Sequence, residues 1–168
     1  AELESKLSNL GDEINAKTGS WTFGGSVAKT FDAHIQKSVP GYLEGHDLVS
    51  KMAPFFLGRT GSIFTEVGCS TGALIQTVRK QNDRNDLKFV GIDIEEAMLE
   101  IANENNEFDN CDFEFGDALT YQYEGSDVVA SYYTIQFINP SIRQKVINKI
   151  YESLNWGGAF IMFEKVRG

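Results

Sequence analysis

The chain has 168 residues, 42% of them hydrophobic, which is typical of one globular domain rather than a disordered chain. Its formal net charge of −9 opposes direct nucleic-acid binding, which depends on Lys and Arg side chains that neutralise phosphates. No apolar run reaches membrane-spanning length, so we expect no membrane association. The two cysteines, Cys69 and Cys111, lack the spacing of a zinc site or disulfide framework, which favours a cytoplasmic protein without a bound metal.

Helical patterns fill the first third of the chain. Residues 2–16 carry Leu and Ile side chains at helical spacing and predict an amphipathic helix. After a break at residues 19–25, a second helix is predicted around Phe31. A Pro-Gly turn at residues 38–42 then precedes a third helix over residues 43–56, which we expect to be bent or to end near Pro54.

From residue 63 onward, short apolar runs alternate with helical patterns. Strands are predicted over residues 63–67, 87–93, 111–115, 127–133 and 159–164. Helices are predicted from Thr71, over residues 95–106 and from Pro140 through Leu154, with a helix stop at residues 155–158. Repeated βα units imply a Rossmann-like, mainly parallel, doubly wound sheet. We expect residues 1–57 to form a helical cap in front of a ligand-binding sheet domain at residues 58–168.

The stretch that joins the first of these strands to its helix is the most informative. Small residues follow the strand at alternate positions, Gly68, Ser70 and Gly72. Such residues let the backbone turn sharply and approach a ligand. The carboxylate of Glu66 at the strand end would repel a phosphate but suits S-adenosylmethionine (SAM), which carries an ammonium and a sulfonium. Simple closure of a βα unit would also explain the turn alone.

Two more acids follow the next two strands. Asp93 ends the second strand, where a carboxylate can accept hydrogen bonds from ribose hydroxyls, and Ile94 is placed beside an adenine face. Asp117 follows the third strand, where its carboxylate and the Ala118 N–H can contact the adenine edge. Each acid alone is compatible with a solvated loop. Together with Glu66, they indicate a nucleoside site at the carboxyl ends of the strands.

Five further side chains have two interpretations. Tyr132, Tyr133 and Gln136 follow the fourth strand, where substrate contact and core packing are equally compatible with the pattern. His34 and His46 bracket the Pro-Gly turn, and we expect them to be surface or packing residues rather than catalytic ones. No catalytic residue is assigned.

Several longer segments point to one family. They are WTF at residues 21–23, QKSVPGY at 36–42, EVGCSTGA at 66–73, GID at 91–93, TIQF at 134–137 and EK at 164–165. In these segments the chain resembles the carboxy-S-adenosyl-L-methionine (carboxy-SAM) synthases. That family lies within the class I SAM-dependent methyltransferases and is also described as candidate tRNA (cmo5U34) methyltransferases. The resemblance covers roughly residues 21–165.

The resemblance implies a site for SAM, or for S-adenosylhomocysteine or carboxy-SAM. Tyr42 would close over the methionine end, and Gly68, Cys69 and Ser70 would line the cofactor. Asp93 with Ile94 would hold ribose and adenine, and Asp117 with Ala118 the adenine edge. Tyr132 stands where the family usually carries an asparagine near the cofactor.

The resemblance also implies a reaction in which SAM is a substrate. A prephenate-like small acid supplies a carboxylate to the SAM methyl group, and another enzyme uses the product on a wobble uridine of tRNA. An ordinary SAM methyltransferase acting on a small molecule or tRNA remains an alternative, as does a SAM-binding module without catalysis. Family members continue past the fifth strand with two more strands and an arginine for the incoming carboxylate. We therefore expect a sheet that lacks its last two strands, with an edge that favours a homodimer.

Overall fold

The computed structural model of the chain describes residues 14–17, 20–23 and 25–166, with side chains from residue 30 onward. Its first elements are two antiparallel strands, β1 (Ile14–Lys17) and β2 (Ser20–Phe23). The helix predicted over residues 2–16 is therefore wrong at residues 14–16, and its earlier part lies outside the described residues. The predicted break also contains a strand. Cross-strand pairing, with Lys17 opposite Ser20, outweighs the helical periodicity here.

Two helices precede the main sheet. Helix α1 (Gly25–Ser38) ends before Pro40, and α2 (Tyr42–Met52) begins after Gly41, which adopts a left-handed φ of 72°. A short 3₁₀ turn (Ala53–Phe55) then follows, so the helix ends near Pro54 as predicted, because proline cannot continue it. The predicted turn at residues 38–42 is confirmed.

The remaining elements form a five-stranded parallel sheet, with an α-helix after its first, second and fourth strands in chain order. They are β3 (Ile63–Val67), α3 (Ala73–Gln81), β4 (Lys88–Asp93), α4 (Glu96–Asn105), β5 (Cys111–Phe115), β6 (Ser126–Tyr132), α5 (Pro140–Ser153) and β7 (Leu154–Phe163). The strand order is β5-β4-β3-β6-β7. The order therefore reverses between β3 and β6, where open α/β sheets bind ligands. The predicted doubly wound, mainly parallel sheet is confirmed.

The sheet is buried on both faces. Phe64 of β3 and Phe89 of β4 pack against α3, with their ring centroids 5.6 Å apart. Val67 lies three positions after Phe64 and so points to the opposite face, where it packs with Val146 and Ile150 of α5. In the described part of the chain, no helix is both long and apolar enough to cross a bilayer.

The last strand begins earlier than predicted. Strand β7 starts at Leu154, so the predicted stop at residues 155–158 lies inside a strand rather than in a loop. Leu154 pairs with Ser126, and Ala159 pairs with Val128. Between these two pairs, β7 therefore advances five residues while β6 advances two. Gly157 takes up this bulge with a φ of 80°.

Candidate functional site

A cavity of about 480 Å³ lies at the carboxyl ends of β3, β4 and β6, where the strand order reverses. Its volume is in the range of small-molecule sites. Helices α1 and α2 supply part of its wall through Phe31, Ile35 and Tyr42. Of the predicted site residues, those in the lining are Tyr42, Glu66, Gly68, Cys69, Ser70, Asp93, Ile94, Asp117, Ala118, Tyr132 and Tyr133.

The turn after β3 approaches the cavity with its backbone. Gly68 has a φ of 71°, and a Cβ there would lie 2.4 Å from Cγ2 of Thr134. Only glycine fits this position without strain. Ser70 also has a left-handed φ, 50°, and strained residues of this kind cluster at ligand sites. Gly72 lies outside the lining, and its missing side chain makes room for the Phe113 ring, which a Cβ would meet at 2.8 Å.

Asp93 is fixed by the backbone on both sides of its carboxylate. The Ser70 N–H donates to Oδ2 at 2.8 Å, and the Glu95 N–H donates to Oδ1 at 2.9 Å. Burial raises the pKa of Asp93, although these N–H groups act in the opposite direction. Each carboxylate oxygen can accept a second hydrogen bond, so Asp93 can still receive two hydroxyl donors.

Glu66 carries an unsatisfied atom beside the same turn. Its side chain is 3% exposed, and Oε1 has no hydrogen-bond partner among the described residues. Burial, followed by the negative charge of Asp93, holds the pKa of Glu66 well above its usual range. A cationic ligand next to this carboxyl would favour its ionised form and supply the missing partner.

Acids dominate the polar lining of the cavity. Glu66, Asp93, Glu95 and Asp117 all contribute to it, whereas no Lys, Arg or His of the described residues does. Nowhere in residues 30–166 do three or more His, Cys, Asp or Glu side chains come together in a way that could hold a metal ion. The arrangement suits a cationic or neutral ligand rich in hydrogen-bond donors.

One rim of the cavity combines apolar surface with a carboxylate. Ile94 is 52% exposed there, and Ala118 is half-buried. Asp117 is exposed, and its Oδ1 accepts the Leu119 N–H at 2.8 Å. The Gly116 N–H donates to the Asp93 carbonyl at 3.0 Å, which brings the ends of β4 and β5 together. This rim can contact a flat aromatic base on its face and its edge.

An aromatic cluster closes the opposite side. The Tyr132 hydroxyl donates to the Tyr42 carbonyl, and the Tyr42 ring stacks near the Tyr133 ring at 6.3 Å. Tyr133, directly after the end of β6, has a left-handed φ of 55°. His46 is buried between Tyr42 and Tyr132, and burial lowers its pKa to about 4, so it is neutral near pH 7. The exposed His34 and the buried His46 take the surface and packing positions that we predicted.

Two other side chains that the sequence placed near the ligand, Cys69 and Gln136, offer it neither a nucleophile nor a hydrogen bond in this structure. Burial and the nearby acids raise the pKa of Cys69 well above its usual range, so its thiol is a lining group and not an activated nucleophile. Gln136 lies outside the lining, and its Oε1 accepts the Lys165 N–H at 3.2 Å. Gln136 therefore links the loop after β6 to the end of β7.

Two charged side chains outside the cavity, Glu164 and Arg143, hydrogen-bond to the backbone of the loop after β6. Glu164 accepts the N–H groups of Ile135 and Gln136 at 2.9 and 3.2 Å. Arg143 donates to the carbonyls of Gln136 and Ile138, both at 2.9 Å. These bonds fix a short 3₁₀ turn (Ile135–Phe137) between Thr134 and Ile138, both of which line the cavity.

Sequence reasoning missed much of the lining, most of it apolar. The missed residues include Phe31, Ile35, Thr71, Leu74, Met98, Thr134, Phe137, Ile138, Asn139, Ile142 and Val146. The position of Thr134 to Asn139 directly after a strand end was a signal that could have identified that loop. The contributions of α1 and α5 depend on tertiary packing and have no local signal.

Comparison with known proteins places these features in a family. A methyltransferase domain model matches residues 64–158, more than half of the chain. A carboxy-S-adenosyl-L-methionine synthase of Staphylococcus epidermidis is 34% identical over 92% of this chain and 68% of its own length. One from Campylobacter lari is 37% identical over 92% of this chain and 67% of its own length. The chain spans 62–68% of the length of such relatives.

A solved structure supports the same fold. A candidate SAM-dependent methyltransferase of Methanococcus maripaludis matches 89% of this chain and 66% of its own with a TM-score of 0.67. Its sequence is 22% identical, so this likeness concerns the fold.

Proposed function

The chain belongs to the carboxy-SAM synthase family of class I SAM-dependent methyltransferases, and we propose from this that its cavity binds SAM. We further propose that a prephenate-like acid would give up one carboxylate as CO2 together with its ring hydroxide. The SAM methyl carbon would take up this CO2, and the proton displaced from the methyl group would leave with the hydroxide as water. The observation that carries the SAM site is the pair of buried carboxylates, Glu66 and Asp93, around the Gly68–Ser70 turn. The unpartnered Oε1 of Glu66 and the left-handed backbone of Gly68 and Ser70, which lines the cavity, are the two features that support this ligand.

Each end of SAM has a matching part of the cavity. Asp93 is proposed to accept hydrogen bonds from the ribose hydroxyls, because its backbone partners leave one acceptor position on each oxygen. Ile94 would cover the adenine face, with Asp117 and Ala118 at its edge. Glu66 is proposed to face the cationic methionine end, and Tyr42 to close over it. A SAM ligand has no phosphate, and its ammonium and sulfonium outweigh its single carboxylate, so its net positive charge suits the acidic lining.

The chain supplies positioning and water exclusion rather than a strong base. Bound SAM provides a methyl group whose protons are acidified by the adjacent sulfonium. Tyr42, Tyr133 and Phe137 surround this side of the cavity with aromatic surface that excludes water. No described lining side chain is an obvious proton acceptor other than a carboxylate. We propose that orientation of the reactants accounts for most of the rate enhancement.

One observation favours a second function. A prephenate-like acid needs a cation to receive its carboxylates, and no described lining residue is basic. The described residues alone are therefore better suited to a methyltransferase that acts on a neutral or cationic small molecule. In the carboxy-SAM synthase hypothesis, the cation must come from a residue that is not among the described lining residues.

Product masses separate the hypotheses. The chain is incubated with SAM alone, with SAM and prephenate, or with SAM and a mixture of small amines, and the nucleosides are analysed by mass spectrometry. A carboxylate gained by SAM only with prephenate supports the first function. S-adenosylhomocysteine together with a methylated amine supports the second.

A matched pair of variants shows whether the product comes from this cavity. Asp117→Asn alters the proposed adenine edge, whereas Asp112→Asn alters an exposed acid outside the lining. We expect only Asp117→Asn to weaken SAM binding and product formation. SAM binding without any product would support a binding module, and absence of binding would refute the proposal.

A further inference from the structure

Tyr132 joins helix α2 to the end of β6. Its hydroxyl donates a hydrogen bond to the carbonyl of Tyr42, the first residue of α2. The Tyr132 side chain is only 7% exposed, so this bond is shielded from water. The Tyr132 hydroxyl therefore donates its hydrogen bond to the Tyr42 carbonyl and does not donate to a ligand in the cavity.

Gly45 makes this contact sterically feasible. A Cβ at Gly45 would lie 2.1 Å from the Tyr132 hydroxyl oxygen and 3.0 Å from Cζ. Glycine inside a helix is less favourable than alanine. The depth to which the Tyr132 hydroxyl enters α2 explains why glycine occupies this position.

The same tyrosine supports the Tyr42 ring from behind. The rings of Tyr42 and Tyr132 meet edge to face, with centroids 5.1 Å apart. His46 lies 4.6 Å from the Tyr42 ring and 4.7 Å from the Tyr132 ring, and is itself 2% exposed. Tyr42 thus has aromatic contacts that do not depend on a ligand.

We infer that Tyr132 is a positioning residue that holds Tyr42 at the cavity wall before any ligand binds, and that Gly45 and Tyr132 act as a size-matched pair. The effect on ligand affinity rests on the proposed SAM site, whereas the effect on α2 does not. A wall that is already ordered removes part of the entropy cost of binding. Tyr132 then contributes to SAM affinity through Tyr42 rather than through a hydrogen bond of its own.

Hydrogen exchange of the peptide that contains residues 42–52 tests the inference directly. In the wild-type chain we expect this peptide to be protected with or without SAM. Tyr132→Phe removes only the hydroxyl, and we expect exchange in the free chain to become roughly fivefold faster, as for loss of one hydrogen bond. We expect the dissociation constant for SAM to rise by about the same factor. Exchange in β3 is measured in parallel, because a general loss of stability would accelerate both regions.

Compensation between the two positions separates positioning from simple destabilisation. Gly45→Ala should accelerate exchange in α2 when Tyr132 is present, but not in a Tyr132→Leu background, where the clashing ring atoms are gone. Tyr151→Phe, at a tyrosine that is 76% exposed, is the control and should change nothing.

The inference is overturned if Tyr132→Phe leaves α2 exchange unchanged, if β3 accelerates equally, or if Gly45→Ala has the same effect in both backgrounds. Failure of the wild-type chain to bind SAM would refute the proposed function instead. The exchange measurements would still decide the role of Tyr132.

Discussion

Replacement of Gly68 by alanine tests the geometry of the turn after β3. Gly68 has a φ of 71°, and alanine in the left-handed region costs about 1–2 kcal/mol. The new Cβ would also lie 2.4 Å from Cγ2 and 2.5 Å from Oγ1 of Thr134. Overpacking of this kind typically costs about 1–3 kcal/mol more. We therefore expect Gly68→Ala to lower the free energy of unfolding by roughly 2–5 kcal/mol.

Gly61 provides the matched control. It has nearly the same φ, 74°, but a Cβ there would meet nothing within 4 Å. Gly61→Ala should therefore lose only the backbone contribution, about 1–2 kcal/mol. Urea unfolding measures both variants, and calorimetry with SAM should show at least a tenfold loss of affinity for Gly68→Ala alone.

A double variant separates the two contributions. Thr134→Ala removes both of the closest atoms, so in that background Gly68→Ala should cost no more than about 1–2 kcal/mol plus a small residual clash. Equal losses of stability for Gly68→Ala and Gly61→Ala would refute the predicted clash with Thr134. Unchanged SAM affinity of Gly68→Ala would refute the proposed role of the Gly68–Ser70 turn in SAM binding.

Three shorter predictions concern charge. Burial holds the pKa of Glu66 above 4.5 in the folded chain, so folding favours its protonated form, and the free energy of unfolding should fall as pH rises above 4.5. In urea unfolding, Glu66→Gln should make this fall with pH less steep. An unchanged pH profile would contradict the raised pKa. Burial lowers the pKa of His46 from 6.5 to about 4, so stability should fall by up to about 3 kcal/mol as pH drops through that window, and His46→Gln should remove the effect. Glu164→Gln replaces the charged acceptor for two N–H groups and should weaken SAM binding several-fold by loosening the loop after β6. Glu152→Gln, at an exposed position of α5, is its control, and equal behaviour of the two variants would contradict the loop's role.

The sequence was most predictive where backbone position determines the outcome. Alternation of apolar runs with helical patterns predicted the parallel sheet, because consecutive βα units have few alternative arrangements. Glu66, Asp93 and Asp117 follow strand ends, and parallel strands bring those ends to one edge of a sheet. That the three acids lie around one cavity was therefore foreseeable from their positions in the chain.

Other features were missed because an apolar pattern does not show which segments pair. Residues 14–16 look helical by periodicity, yet they pair with β2, which begins only three positions after Lys17. The glycines at residues 157 and 158 are typical of a helix stop, but here they accommodate a bulge opposite β6. Glycine at position 45 is unexplained by the sequence, because the tyrosine that requires it lies 87 positions later.

A calorimetric titration of SAM, with ATP as the comparison ligand, tests the central claim most directly. Both ligands carry adenosine, but only ATP brings phosphates toward the carboxylates of the cavity. We predict saturable binding of SAM at one site per chain, with little or no heat from ATP under the same conditions. Binding of ATP with equal or greater affinity, or absence of heat with SAM, would contradict the assignment of this cavity to SAM.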